Sequence, residues 1–223
     1  QSRAVGADGA WSLDGRTGLA NGVSQWITAE AARADGHAWR ARASAVLTGV
    51  GTVLEDNPRL DVRLVETPRQ PHLVIVDSHL QTPPDAHLFI AGRAVWIYAA
   101  ARDEARAAAL EARSATVSCL PNAHGKVDLG AMLRDLAARG VNELHVESGH
   151  KLNGSLLREG CVDELLVYLA PKLIGSGLDI ASQIHADGPL VSLAGALPLE
   201  FRSADRIGPD LRIVARVAGR DAF

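Results

Sequence analysis

The sequence contains few cysteines and no recognisable metal-ligand spacing. Cys119 and Cys161 are the two cysteines, they lie far apart, and neither a CxxC nor an HExxH pattern occurs. These features argue against a disulfide framework and a structural zinc site, so no bound metal is expected. Low cysteine usage and the lack of a signal peptide also predict a cytoplasmic location.

Long hydrophobic runs and an excess of one charge are also missing. No apolar stretch approaches the roughly 20 residues that span a bilayer, and the formal net charge is only -3. The sequence therefore predicts neither a membrane partner nor a nucleic-acid partner. Lysine is confined to Lys126, Lys151 and Lys172, so arginine carries most of the positive charge. Arginine suits bidentate recognition of phosphate, although genome composition would produce the same bias.

The sequence does contain an alternation of short apolar runs and Ala-rich segments. Continuous apolar runs are typical of strands covered on both faces of a parallel sheet, and the Ala-rich segments are typical of helices. Strands are predicted at 45–50, 73–77, 94–98, 115–120, 143–147 and 163–170, and helices at 28–42 (with Thr28 as N-cap), 102–113, 128–139 and 152–159. Two further strands within 197–217, joined at Gly208-Pro209, complete the pattern.

This order of elements predicts a three-layer α/β/α architecture with a mostly parallel central sheet and antiparallel C-terminal strands. No internal repeat or long linker is present, so residues 1–223 are predicted to form a single domain. Residues 1–9 are expected to be irregular or a trimmed end, because Gly6 and Gly9 interrupt the apolar pattern there.

A glycine turn follows the predicted strand that ends at Glu147, at the sheet edge where ligands bind in α/β folds. The turn from Glu147 to Leu157 feeds a helix, whose first N–H groups can hold an anion such as a pyrophosphate. It is not a nucleoside-triphosphate loop, because Ser155 stands where GxxxxGK[ST] needs lysine, and it does not fit GxGxxG. A tight strand-to-helix connection without a ligand would look the same.

A second glycine turn, from Gly49 to Pro58, combines a hydroxyl with a carboxylate. Thr52 can cap the turn or donate to a phosphate, and Asp56 can accept from a sugar hydroxyl or an amide. A capped one-turn helix without a ligand fits the same residues.

Charged side chains near these turns are further candidates for ligand recognition. Arg59 and Arg63 follow the second turn, Arg40 lies on the helix before it, and two such arginines can clamp one phosphate. Solvated surface charge is the alternative interpretation of all three. Glu147 ends a central strand beside a glycine turn, which favours a ligand-reading role, whereas His145 on the same strand is expected to be structural.

Several motifs occur in an order that identifies a family. They are Ser12-Leu-Asp-Gly-Arg-Thr17, Ser24-Gln-Trp-Ile-Thr28, Thr52-Val-Leu-Glu-Asp-Asn-Pro58, Val76-Asp-Ser78, the turn from Glu147 to Leu157, and Val162-Asp-Glu-Leu followed by Ala170-Pro-Lys-Leu-Ile-Gly175. Together they resemble the reductase half of the bifunctional riboflavin-biosynthesis deaminase–reductase, and the resemblance extends over residues 10–217. The resemblance implies a dihydrofolate-reductase-like fold and a homodimer.

The resemblance also implies an activity and a cofactor. In that family NADPH gives hydride to the sugar C1′ of 5-amino-6-(5-phosphoribosylamino)uracil, whose ribosyl ring opens and becomes ribityl. The positions that hold the substrate are occupied by Ser24, Arg40, Leu60 and Arg63, with Glu147 at the pyrimidine end. The dinucleotide-contact positions are occupied by Ala10, Trp26, Thr52, Asp56, Ser78, Gly149, His150, Lys151, Leu152, Asn153, Gly154 and Ser155. Orientation does much of the catalysis in hydride transfer, so the protein needs to add little beyond a proton donor, for which Asp56 is the candidate.

The sequence departs from the family in two respects. Asp8 stands where the family usually has a lysine, four residues before the S-L-D-G serine, which puts a negative charge near the expected substrate site. The H-x-E and PCxxC elements of a zinc deaminase are absent, so a deaminase domain or protein would be supplied separately. Two alternatives stay open: a same-fold NADPH reductase acting on a pterin-like or secondary-metabolite substrate, and a non-catalytic dinucleotide binder. Arg40 and Arg63 favour the phosphorylated substrate.

Overall fold

The computed structural model describes residues 3–21, 23, 26–185 and 188–219, and of residues 3–8 it describes the backbone only. The described residues fall into two compact units. Residues 37–148 form the first unit, and residues 3–36 together with 149–219 form the second. A single domain over the whole chain stays a prediction.

The elements follow one another largely in the order that the sequence predicts. In chain order they are β1 (Arg3–Ser12), β2 (Gly18–Leu19), α1 (Glu30–Arg42), β3 (Ala45–Gly49), α2 (Val50–Asp56), β4 (His72–Val76), β5 (Val95–Ala99), α3 (Glu104–Glu111), β6 (Ala115–Cys119), α4 (Leu129–Ala138), β7 (Glu143–Val146), α5 (His150–Arg158), β8 (Glu164–Ala170), β9 (Gly177–Leu178), β10 (Leu199–Ile207) and β11 (Asp210–Val217). A short 3-10 helix at Leu193–Gly195 precedes β10.

The first unit is built on a parallel sheet. Its strands are ordered β7-β3-β4-β5-β6, and every neighbouring pair is parallel. Leu73, Val74 and Ile75 of β4 are fully buried, as expected for a strand inside a parallel sheet with both faces covered. Gly49 pairs with Val76, so the carboxyl ends of β3 and β4 lie side by side. Residues that directly follow these two strands therefore share one edge of the sheet.

Aspartate side chains cap two helices of the first unit, which the sequence predicts to within about two residues at each end. The carboxylate of Asp103 accepts the N–H of Arg106 at 3.0 Å at the start of α3. The carboxylate of Asp128 accepts the N–H of Ala131 at 2.8 Å at the start of α4. Such caps satisfy N–H groups that the helix itself leaves unpaired. Both signals lie within a few residues of the helix that they begin.

The second unit combines a parallel pair of strands with antiparallel C-terminal strands. Its order is β10-β11-β8-β1, in which β1 and β8 are parallel and the other neighbours are antiparallel. The β10–β11 hairpin turns at Gly208, whose φ is +61°, at the predicted Gly208-Pro209 turn. A separate small pair joins β2 to β9. The predicted α/β class, with a mostly parallel sheet and antiparallel C-terminal strands, is confirmed.

The N-terminal strand corrects the prediction for residues 1–9. β1 begins at Arg3 and pairs with β8 from Gly6 opposite Glu164 onward. Gly9 lies within the strand and does not interrupt it. A Cβ at this position would lie 2.7 Å from the indole Nε1 of Trp11, which explains why the residue is a glycine. Residues two apart share a face of a strand, so the glycine makes room for the indole. The expectation of irregular chain was therefore wrong for residues 3–9.

Two helix starts also differ from the local reading of the sequence. α2 spans Val50–Asp56, so the helix after β3 is longer than the single turn that the sequence suggests. α1 begins at Glu30, and the N–H of Ala29 donates to the carboxylate of Asp210 at 2.7 Å. Thr28 is therefore not the N-cap residue, and the carboxylate that serves this helix end comes from β11. Nothing near Thr28 in the sequence signals that partner.

The described residues contain no helix whose length and apolarity would let it cross a membrane. Across the same part of the chain, no group of His, Cys, Asp and Glu side chains is arranged to hold a metal ion.

Candidate functional site

A buried ion pair lies at the centre of the candidate site in the first unit. Arg40 comes from the last turn of α1, and Glu147 directly follows β7. The guanidinium donates from Nε to Oε1 at 2.6 Å and from Nη2 to Oε2 at 2.7 Å, and the two side chains are 11% and 19% exposed. Burial alone would raise the pKa of Glu147, but the charge of Arg40 and its hydrogen bonds lower that pKa to about 2. Glu147 is therefore an anion at any neutral pH.

A second carboxylate gathers the other arginines of this region. The Asp61 side chain is buried and accepts from Arg59 Nε at 2.9 Å and from Arg63 Nη1 at 2.7 Å. Burial tends to raise the pKa of Asp61, and the two arginine hydrogen bonds lower it below the ordinary range. Arg40 also donates to the backbone carbonyl of Asp61. Arg40 and Arg63, predicted to hold the same phosphate, are thus joined through one residue.

His37 completes this network and was not singled out from the sequence. Its ring is 5% exposed, and its Nδ1 accepts the backbone N–H of Arg63 at 3.1 Å. Burial, together with the charges of Arg40 and Arg63, lowers the pKa of His37 to about 4. The ring is therefore neutral at neutral pH, as its role as an acceptor requires. His37 lies three residues before Arg40 on α1, a spacing that places both on one helix face.

The two predicted phosphate ligands differ in what they offer a ligand. The guanidinium of Arg40 is committed to two carboxylate oxygens and one carbonyl oxygen. Arg63 is 52% exposed at its side chain and uses Nη1 for Asp61, so its guanidinium remains accessible to an incoming anion. Leu60 is a different case, because its side chain is 5% exposed and lies within the apolar core of the unit. Only the backbone of Leu60 is therefore placed to meet a ligand.

Three predicted dinucleotide contacts of the first unit lie at the carboxyl ends of β3 and β4. Thr52 is half-buried on α2, which starts directly after β3, and Asp56 is the last residue of that helix. Ser78 follows β4, and its carbonyl accepts the N–H of Ala100 at 3.1 Å. Partial burial and the neighbouring charge of Glu55 raise the pKa of Asp56 above its ordinary value.

The predicted dinucleotide turn of the second unit forms the start of α5. Gly149 is the N-cap residue, with φ -72° and ψ 166°, and as a glycine it brings no side chain to cap the helix. The Asn153 side chain donates to the carbonyl of Ile180 at 3.1 Å, and His150 Nδ1 lies 3.1 Å from Ser182 Oγ. A Cβ at Gly154 would overlap the carbonyl oxygen of Ser182. A backbone segment therefore crosses close to this helix, and only glycine allows that approach.

The remaining predicted contacts of the second unit are more dispersed. Ala10 lies on β1 opposite Tyr168 of β8. Trp26 is exposed and has a left-handed φ of +68°, and the guanidinium carbon of Arg33 lies 4.5 Å from its ring centroid. Lys172 Nζ donates to the carbonyls of Trp26 and Ile27 at 3.1 and 2.8 Å. Ser24 lies outside the described residues, as does the side chain of Asp8.

Sequence comparison places these residues within a defined family. The RibD C-terminal domain family matches residues 3–213. The riboflavin biosynthesis protein RibD of Bacillus amyloliquefaciens is 38% identical over 208 residues, which are 92% of this chain and 55% of that protein. The chain thus spans little more than half the length of that relative. The 5-amino-6-(5-phosphoribosylamino)uracil reductase of Buchnera aphidicola is 27% identical over 208 residues, which are 88% of this chain and 97% of that protein.

A solved structure agrees with the sequence matches. Acinetobacter baumannii RibD superposes with a TM-score of 0.81 at 28% sequence identity. The superposition covers 97% of this chain and 58% of that one.

Proposed function

The chain belongs to the RibD C-terminal domain family, and we propose that it catalyses reduction of 5-amino-6-(5-phosphoribosylamino)uracil to the ribitylamino product, with NADPH as the hydride donor. One observation carries this proposal. Arg40, Arg63 and Glu147, each predicted to hold the substrate, meet in one hydrogen-bonded network. Leu60 adjoins Asp61 in the same network.

The network suits a ligand with a phosphate at one end and a polar ring at the other. Arg63 supplies an accessible fork of donors for phosphate oxygens. Glu147 supplies an ionised carboxylate that can accept from ring N–H or amino groups, and Arg40 holds it in place. A pterin without phosphate would leave the guanidinium of Arg63 without a ligand anion, which favours the phosphorylated pyrimidine.

The residues present fit a nicotinamide dinucleotide. The first turn of α5 follows Gly149, which brings no capping side chain, and the exposed Lys151 lies within it, so its N–H groups and charge suit a pyrophosphate. Arg106 Nη1 donates to the carbonyl of His79 at 2.9 Å, directly beside Ser78. A guanidinium at that position suits a ribose 2′-phosphate, which supports NADPH over NADH. When bound, the dinucleotide supplies the hydride.

The reduction also needs a proton source, and the chain offers Asp56. Hydride addition at C1′ and protonation of the opened ribosylamine together balance the conversion to ribityl. Asp56 ends α2 at the edge of the sheet, and its raised pKa keeps the protonated form available to higher pH than for an ordinary aspartate. Its role is to hold or deliver that proton.

The remaining features of the proposal concern partners and location. The apolar side chains of Val191, Leu193, Leu199 and Phe201 are exposed, and β10 is the edge strand of its unit's sheet. Exposed apolar residues on an open edge are typical of an association surface, which supports a homodimer. We also propose a cytoplasmic enzyme whose substrate comes from a separately supplied deaminase domain or protein.

An assay of NADPH oxidation with the deaminated pyrimidine phosphate tests the function. Turnover that yields the ribitylamino product is expected, together with a lower dissociation constant for NADPH than for NADH. Binding of NADPH without turnover would favour a different substrate or a non-catalytic binder, and no NADPH binding would overturn the proposal. Arg63→Met is expected to raise KM and to leave NADPH binding unchanged, while Arg113→Met is the matched surface control.

A further inference from the structure

The segment from Arg59 to Arg63, here called the 59–63 loop, is held by side chains rather than by regular secondary structure. Its residues belong to no helix or strand. Val62 donates its N–H to Gln70 Oε1 at 2.7 Å and accepts from Gln70 Nε2 at 2.9 Å. The N–H of Arg63 donates to His37. These bonds fix the path of an irregular segment.

Arg93 holds the first half of this loop. It lies just before β5, and its Nη2 donates to the carbonyls of Arg59 at 2.8 Å and Leu88 at 2.7 Å. Its Nη1 donates to the carbonyl of Leu60. One guanidinium therefore grips two consecutive carbonyl groups of the loop and ties them to a neighbouring segment.

The residue between these carbonyls has an unusual backbone. Leu60 has a φ of +49°, in the left-handed region that is unfavourable for residues other than glycine. Its carbonyl is taken by Arg93, and its side chain is buried in the core. Within the described part of the chain, its N–H donates to no protein acceptor. Backbone strain of this kind persists where surroundings over-determine it, often beside ligands.

Arg93 itself is poorly arranged as a stabilising residue. Among the described residues it forms no ion pair, and its buried Nε has no hydrogen-bond partner. Burial lowers the pKa of this guanidinium to about 10. A buried cation that is compensated by carbonyl dipoles and the nearby charge of Asp61, without a direct ion pair, loses much of its hydration energy. This arrangement indicates a role in geometry more than in net stability.

We propose that Arg93 is a positioning residue for the phosphorylated substrate. By gripping the carbonyls of Arg59 and Leu60, it holds Leu60 in the left-handed conformation. That conformation directs the Leu60 N–H towards the phosphate of the substrate. It also fixes the backbone position of Arg63, and so the position of the Arg63 side chain. The inference rests on the proposed function, because it takes Leu60 and Arg63 as substrate-holding positions.

The test combines kinetics with amide hydrogen exchange on the full chain. Arg93→Lys and Arg93→Gln each keep a donor but lose the paired donors of the guanidinium. Arg102→Lys and Arg102→Gln are matched controls at an exposed arginine that bonds Glu104 and Glu111. We expect both Arg93 variants to raise the substrate KM about 10- to 100-fold, since small misplacements of binding groups have effects of this size. The kcat and the dissociation constant of NADPH are expected to stay near the wild-type values.

Hydrogen exchange separates the positioning role from the activity. The amides of Val62 and Arg63 are expected to exchange faster in both Arg93 variants and at the wild-type rate in both Arg102 variants. An unchanged KM with unchanged exchange overturns the inference. So does an equal loss of substrate and NADPH binding, or failure of both Arg93 variants to fold while both controls fold. If the wild type turns over no substrate, the proposed function fails, and the exchange rates alone decide whether Arg93 restrains the loop.

Discussion

Arg40 and Glu147 are 107 residues apart in the sequence and meet through two parallel hydrogen bonds. α1 supplies the cation and the end of β7 supplies the anion, so the pair fixes a helix against the edge of the parallel sheet. Both side chains are predicted to touch the substrate, and each holds the other in a single orientation. In the proposed function, the pair serves both the stability of the unit and recognition of the substrate.

Glu147→Gln is expected to destabilise the fold, because it leaves the guanidinium of Arg40 buried without its counter-charge. Loss of one partner of a buried pair costs roughly 3 to 5 kcal/mol in the free energy of unfolding. Glu143→Gln is the control, since Glu143 pairs with Arg42 between the same two elements at a more exposed place, where about 1 kcal/mol or less is expected. Urea unfolding of the two single variants and of the double variant measures both free-energy changes. Equal losses of stability in Glu147→Gln and Glu143→Gln would contradict the prediction.

His37 is expected to make stability depend on pH. Its pKa is about 4 in the folded chain against 6.5 for an ordinary histidine, so the unfolded chain binds the proton more tightly. The contribution is therefore complete above pH 6.5, falls as pH is lowered towards 4, and amounts to up to about 3 kcal/mol. Arg40 and Arg63 act with this shift, while Glu147 and Asp61 oppose it.

Substitution of His37 isolates this effect. His37→Asn keeps an acceptor near the N–H of Arg63 but has no group that titrates. Its unfolding free energy is expected to vary less than that of the wild type between pH 6.5 and 4. Denaturation curves at several pH values give the comparison, and parallel curves for the two proteins would contradict the prediction.

Asp56→Asn is expected to lower kcat about 100-fold, a typical loss for removal of a proton donor. Because the pKa of Asp56 is raised, the wild-type kcat is expected to decline as pH rises past that value, and the variant should lack this limb. Glu55→Gln is the control, since removal of that charge should move the limb to lower pH. Full turnover of Asp56→Asn with the wild-type pH profile would remove Asp56 from the mechanism.

Gly154→Ala is expected to weaken dinucleotide binding and to lower the melting temperature. The new Cβ would overlap the carbonyl of Ser182, so α5 or the crossing segment must move, at a cost of about 1 to 3 kcal/mol or more. Gly130→Ala on α4 is the control, because its nearest contacts are an ordinary 3.4 Å. NADPH fluorescence titration and thermal unfolding report both effects, and wild-type values for Gly154→Ala would show that the contact is not limiting.

On the proposed homodimer, Phe201→Glu is expected to shift the equilibrium from dimer to monomer. Phe201 is 76% exposed on the edge strand β10, and a charge placed at such a surface disfavours association. Leu173→Glu is the control, because that leucine is equally exposed but does not belong to the apolar group of Val191, Leu193, Leu199 and Phe201. Light scattering after gel filtration gives the masses. A dimer that persists in Phe201→Glu would place the interface elsewhere.

Local signals account for most of the secondary structure that the sequence predicted. Apolar runs identified the buried strands and Ala-rich segments identified helices, because each signal acts within a few residues. β1 was missed because Gly9 reads as a break in a strand. The structure explains this glycine by the indole of Trp11, which leaves no room for a Cβ. A pattern of residue types does not show how much space an indole needs.

The candidate site was only partly predictable for a related reason. Arg40, Arg63 and Glu147 were identified by family motifs and by position. His37 and Arg93 were missed because their partners are backbone groups brought near by the fold. Asp61 was missed although its side-chain partners Arg59 and Arg63 lie only two residues away. The spacing of His37 and Arg40 on one helix face was the available signal. No local pattern predicts that a histidine ring accepts a distant backbone N–H.

The carboxylate of Asp210 at the start of α1 also affects the order in which the chain can fold during its synthesis on the ribosome. Asp210 is synthesised 181 residues after Ala29. At roughly 5 to 20 residues per second, the helix that carries His37 and Arg40 waits about 10 to 40 seconds for its cap. β1 likewise emerges long before its partner β8. A nascent chain therefore holds β1 without β8 until residue 170 is made, and it holds the start of α1 without Asp210 until the β10–β11 hairpin is made.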